Sequence, residues 1–193
     1  MMAAAGLAAL IFGLVLLFFL AFHVLRRDVG VARDPVSNYG VGASAGLFRI
    51  YAALGAVGAL ALALAFQLWG QAPVRLVVYL ALSALARLGV AAFPTVPGRE
   101  FASRNGRIHM AFAIANFALV YMALDVATAL LMAQHSTFAG AASILRWVAG
   151  LSLAGVVASM IGPLRPLFGL AERLFLVSTA LFMLLAAVAL IFA

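Results

Sequence analysis

Three loops hold most of the side chains that could do chemistry. Asp34 and Ser37 lie in the first, Arg107 and His109 at the end of the second, and Glu172 and Arg173 just after the third. A histidine near carboxylates suits proton transfer or metal binding. Zinc hydrolysis needs about three converging ligands, and the only set on offer is His23, His109 and either Asp34 or Glu172. No HExxH pattern supports it. Ser37, His109 and Asp34 can be drawn as a triad, but no nucleophile elbow accompanies them. Haem or chlorophyll ligation by His23 or His109 would rest on a lone helical histidine, a residue more often structural. The sequence therefore assigns no catalytic residue, no metal ligand and no cofactor.

Anion recognition fits these residue types better. Gly40, Gly42 and Ala45 superficially match a dinucleotide fingerprint. That motif needs a preceding strand and a βαβ unit, and neither is present in this pattern. The glycine-rich run instead ends where an apolar helix begins, and helix N-termini bind anions. Guanidiniums in such places can hold a phosphate such as a lipid headgroup. The candidate binding residues are Asp34, Ser37, Arg49, Arg87, Arg107, His109, Glu172 and Arg173.

The elements that must position these residues are membrane spans. The chain has 193 residues, 68% hydrophobic and 9% charged, with mean hydropathy +1.23. A soluble domain has about a quarter of its residues charged. About 20 apolar residues cross a bilayer as helix, and six segments are long enough: 3–25, 47–69, 75–93, 108–133, 138–161 and 170–192. Pro94 ends the third, and Gly162-Pro163 follow the fifth. A cleaved signal peptide is the alternative for the first. It lacks a positive leading region and its apolar run is too long. The expected fold is all-α: an integral membrane bundle of six transmembrane helices, forming a single domain over 1–193.

Charge sets the expected orientation. Arg26, Arg27, Arg33 and Arg49 follow span 1 or open span 2. Arg99, Arg104 and Arg107 follow span 3, and Arg165 and Arg173 follow span 5. The even-numbered loops offer only Arg75. The positive-inside rule puts loops 1, 3 and 5 in the cytoplasm and both termini outside. The net charge of +7 brackets apolar segments rather than forming a soluble basic face, so no nucleic-acid partner is expected. The absence of cysteine removes disulfides and thiolate chemistry. Lysine is absent too.

Ionisable groups within spans cost a few kcal/mol and usually pair or line a cavity. Asp125 and Arg146 fall on adjacent antiparallel spans, each about 12 Å deep at 1.5 Å per residue. They are expected to form a buried structural ion pair. Arg87 can snorkel, or meet Glu100 or Glu172. Asn116 and Tyr121 can join helices by hydrogen bonds, and His135 lies at the outer turn. Small residues, among them Ala52, Gly55 and Ala59 on span 2 and Gly150, Ala154 and Ala158 on span 5, let helices approach closely.

The motifs Asp34-Pro35-Val36-Ser37-Asn38-Tyr39-Gly40, Phe93-Pro94-Thr95 with Gly98 and His109, and Gly169-Leu170-Ala171-Glu172-Arg173 resemble the bacterial and archaeal membrane family catalogued as domain of unknown function 998. The resemblance covers nearly the whole chain. In that family the second motif often carries an aspartate after Pro-Thr or nearby, where this chain has Val96 and Pro97. The first loop is also distantly similar to Frag/DRAM/Sfk membrane proteins, which are linked to lipid handling. The resemblance implies a bacterial or archaeal cytoplasmic membrane and no established activity. The leading expectation is a non-catalytic protein that binds anionic lipid headgroups on its cytoplasmic face, or serves as an accessory subunit of a larger membrane complex. The alternatives are a metal-assisted lipid hydrolase using His109 and a small transporter using Asp125. Unbroken helices and the lack of inverted repeats speak against transport.

Overall fold

The computed structural model describes residues 1–98, 102–134 and 136–193, apart from the side chain of Ser136. Arg99, Glu100 and His135, named above, lie outside the described residues. The described chain is helical: α1 (Met2–Leu25), α2 (Ala45–Trp69), α3 (Val74–Ala92), α4 (Arg104–Gln134), α5 (Ser136–Ser159) and α6 (Phe168–Ile191). Each is long and apolar enough to cross a membrane, so the chain is a multi-pass membrane protein of six helices. Short 3-10 turns at Val36–Gly40, Gly42–Ser44 and Gly162–Leu167 fill the first and fifth connections.

The helix ends have local causes. Gly70 adopts φ 77° and its N–H bonds back to Phe66 and Gln67, which stops α2 with a left-handed cap. Phe93 is extended, with φ −112° and ψ 91°, because it precedes Pro94. The largest boundary difference is in α4, which begins four residues before the apolar run. Arg104 and Arg107 occupy that extra turn, where a helix that has left the hydrocarbon can carry charge.

Helices pack in chain order, and α6 returns against α1 to close a ring. Across the ring, α2 and α4 both touch α6. Two apolar clusters fill much of the interior: one around Phe66, Leu124, Phe175 and Phe182, the other around Phe22, Val36 and Tyr39 near the arginine-rich end. Lipid is as apolar as these side chains, so burial alone gives little preference for one helix pairing over another. Glycines admit the specific contacts. A Cβ at Gly89 would collide with the Phe112 ring, and one at Gly150 would meet the Tyr121 hydroxyl. On α5 the close approach to α6 comes at Gly155, against Ala171, whereas Ala154 and Ala158 are exposed.

Candidate functional site

Two polar centres lie at the arginine-rich end of the bundle, and they differ in character. The first is a clasp around Arg173, which is 4% exposed. Its Nε donates to His23 Nε2 at 3.1 Å, Nη1 to the carbonyls of Asp34 at 2.7 Å and Gly169 at 3.0 Å, and Nη2 to the Tyr39 hydroxyl at 3.1 Å. That commits almost the whole donor set of a guanidinium. His23 can accept this bond because its Nδ1 donates to the Phe19 carbonyl at 2.8 Å.

The rest of loop 1 is fastened around the same point. The Leu170 N–H donates to Ala32 O at 3.0 Å, and the Val36 N–H donates to Glu172 Oε2 at 2.7 Å. Asp34 accepts the Gly30 N–H at 2.7 Å, a local turn of the kind short acidic side chains form. Gly169 must be glycine for this packing, since a Cβ would sit 2.5 Å from Asp34 O. Arg26 holds the far end of the loop through Val41 O, Ser44 and Asp28. Its hydrogen bond keeps the Asp28 carboxyl below the ordinary carboxylate range.

The second centre is a cavity between α2, α3, α4 and α6. Its mouth has a volume of about 50 Å³ and is lined by Ser37, Tyr51, Arg87, His109, Asn116 and Glu172 among others. A deeper and smaller part of about 20 Å³ adjoins it, sharing Arg87, Asn116 and Leu176 and adding Ser83 and Thr179. The lining follows helical periodicity. His109 and Asn116 are seven residues apart on α4, Glu172 and Thr179 seven apart on α6, and Ser83 and Arg87 four apart on α3. Each pair lies on one face of its helix.

His109 is oriented by the end of α3. Its Nδ1 donates at 2.8 Å to the Phe93 carbonyl, one of the terminal carbonyls that a finished helix leaves without an intrahelical partner. That leaves Nε2 as the ring's acceptor. Arg87 lies against Gly55, where a Cβ would overlap the guanidinium, and over the Tyr51 ring at 5.0 Å. Among the described residues it forms no ion pair. Glu172, 8% exposed, is the carboxylate among the described residues of the lining, and it is held by the Val36 N–H. Asn116 is 6% exposed, and its Oδ1 has no hydrogen-bond partner. Asn38 Oδ1 and Thr95 Oγ1 are also buried without partners, but neither residue lines the cavity.

The eight candidate residues therefore divide three ways. Asp34 and Arg173 build the clasp. Ser37, Arg87 and His109 line the cavity, and Glu172 belongs to both. Arg49 and Arg107 are exposed and belong to neither. Among the described residues no three histidine or carboxylate side chains converge as a metal site. His23 already accepts from a guanidinium, a poor neighbour for a cation. Tyr51, Ser83 and Thr179 were not among the candidates. The seven- and four-residue spacings of polar groups within apolar spans are the signal that finds Ser83 and Thr179. Tyr51 carries no such mark.

Asp125 and Arg146 do form an ion pair, at 2.9 Å. Its burial is corrected: the Asp125 side chain is 61% exposed on the outer face of α4. Arg146 lies 4.8 Å from the exposed Trp147 ring. The pair faces outward because Ala123, Leu124 and Ala127 take the inward positions of that turn. It has no part in the cavity lining.

No curated protein and no solved structure matches this chain. One family model does, over residues 3–189, and it spans α1 through nearly all of α6 with both centres included. A match of that extent settles membership: the chain belongs to the family described as protein of unknown function (DUF998).

Proposed function

We propose that this protein binds a membrane lipid by an anionic headgroup in the cavity between α2, α3, α4 and α6. The observation that carries the reading is Arg87. Within the bundle the described charged groups are Arg87, Arg173 and Glu172. Even with Glu172 ionised, one positive charge is left over among the described groups. A lone charge in a membrane interior costs several kcal/mol, and stacking on Tyr51 returns about 0.5–2 kcal/mol. A phosphate can meet the exposed N–H groups of a guanidinium in pairs and cancel the excess. Arg49 and Arg107, exposed at the same end, would draw anionic lipid toward the mouth. By the positive-inside rule that end faces the cytoplasm.

The test is lipid retention. The protein, reconstituted in nanodiscs of equimolar phosphatidylcholine and phosphatidylglycerol, is extracted gently and its bound lipid is measured by native mass spectrometry. Phosphatidylglycerol is expected to be enriched about tenfold or more, and Arg87→Gln to abolish the enrichment. Arg87 makes no hydrogen bond to the backbone among the described residues, so the variant should fold. Enrichment that survives Arg87→Gln but disappears in Arg49→Gln/Arg107→Gln would refute the cavity reading and leave loose surface attraction.

A second reading has one observation behind it. His109, with Nδ1 anchored and Nε2 free to accept, shares the cavity with Glu172, an arrangement suited to acid–base chemistry on a bound headgroup. It requires turnover of the retained lipid, lost in His109→Gln. Intact lipid after prolonged incubation with the unaltered protein would dismiss it.

A further inference from the structure

We infer that the cavity selects an anion that also carries a hydroxyl group, as a polyol phosphate does. The inference rests on the headgroup reading above and adds the chemical class of the ligand. It comes from the acceptors, not from the cation.

Asn116 lies where the mouth and the deep part of the cavity meet, as does Arg87. Its side chain is more than nine-tenths buried, and one amide oxygen is without a donor. A buried acceptor left unmade costs about 1–3 kcal/mol, so such groups are ordinarily matched by protein, water or ligand. Among the described residues no donor makes a hydrogen bond to that oxygen. A bare phosphodiester would satisfy Arg87 and offer Asn116 Oδ1 nothing, because it has no O–H. A headgroup with free hydroxyls supplies both: the phosphate oxygens accept from Arg87, and a hydroxyl donates to Asn116. The selection belongs to the orientation in which Oδ1 is the unpartnered atom; with the amide reversed, phosphate and hydroxyl oxygens would accept alike from its NH₂ group.

The other polar groups support the same class. Glu172 Oε2 takes the Val36 N–H, and its carboxylate has further acceptor sites. Ser83 and Thr179 turn their hydroxyls onto the carbonyls of their own helices, at 2.8 Å and 3.1 Å. Those hydroxyl oxygens can then accept but have no proton to give. The cavity thus presents one cationic donor and several acceptors, which suits a ligand that is anionic at one end and rich in O–H groups at the other.

Two lipids of equal charge separate this from simple anion binding. Phosphatidylglycerol and phosphatidylmethanol both carry one phosphodiester charge, but only the first has headgroup hydroxyls. With the unaltered protein in mixed nanodiscs, phosphatidylglycerol should be retained about fivefold over phosphatidylmethanol, the ratio one well-made hydrogen bond supplies. Asn116→Leu should bring the ratio to one while both lipids stay enriched over phosphatidylcholine. Equal retention by the unaltered protein would overturn the hydroxyl inference and leave the anion reading standing. Loss of both enrichments would overturn the anion reading itself. The first comparison uses no variant, so it does not depend on whether Asn116→Leu folds. A parallel arm adds millimolar glycerol 3-phosphate. Displacement of bound lipid by it would assign the same chemistry to a soluble polyol phosphate, and no displacement would assign it to the lipid.

Discussion

Arg173 and Arg87 each lie over a tyrosine ring at the arginine-rich end of the bundle, Arg173 at 5.5 Å from Tyr39 and Arg87 at 5.0 Å from Tyr51. There the likeness ends. Arg173 makes four hydrogen bonds to its own chain. Arg87 makes none to carboxylate or backbone among the described residues and faces a cavity. A guanidinium whose donors are almost all taken by its own chain is part of the scaffold. One that lines a cavity with no such bonds to carboxylate or backbone is available for a ligand. The arginine clasp also explains how the cavity keeps its shape: it fixes loop 1 over α6, which places Val36 and Ser37 at the mouth.

Substitutions can break that contrast, and the largest effect belongs to the clasp. Arg173→Gln strands the acceptors on Asp34, Tyr39 and His23, at a cost of about 3 kcal/mol or more. The expected result is a large fall in the thermal unfolding midpoint in detergent, with Arg173→Lys giving little rescue because a lysine cannot form the planar fork. A midpoint near that of the parent would show that the clasp does not hold loop 1.

An intermediate effect is expected from Gly55→Ala. The added methyl overlaps the Arg87 guanidinium and must push that flexible side-chain end off Tyr51, forfeiting a contact of about 0.5–2 kcal/mol. Anionic lipid retention should fall severalfold while the clasp stays intact, which hydrogen exchange at the Val36 amide would report. Full retention would mean that the position of Arg87 does not matter. The smallest effect on lipid retention belongs to the outer pair. Asp125→Asn leaves Arg146 without its counter-ion on the outer face of two spans, which costs stability, but retention by the folded protein should be unaltered. Lost retention in folded Asp125→Asn would show that the pair is coupled to the cavity.

Much of this arrangement can be read without coordinates. The Pro94 and Gly70 stops, the apolar run lengths and the Asp125–Arg146 pairing follow from local rules and helix adjacency. The placement of Glu172 does not. Its chain neighbour Arg173 is likewise buried and belongs to the same motif, yet Arg173 faces the clasp and Glu172 also lines the cavity. Successive residues on a helix point about 100° apart, so adjacent residues reach different surroundings, and which surroundings depends on where α2, α3 and α4 stand. Asn116 was legible only as a polar residue in a span. That it has a cavity to face, and no donor there, depends on four helices at once.

The sequence by itself determined that this chain crosses a membrane six times and gathers its arginines at one end. Hydrophobic length and charge asymmetry are properties of segments, and each segment meets the bilayer on its own. The tertiary structure alone decided which arginine is bound within the scaffold and which is left open, and that the ion pair of Asp125 and Arg146 looks outward. Those are matters of helix rotation and neighbour, set by close packing at glycines such as Gly55 and Gly169, where contacts between distant segments replace the local rules.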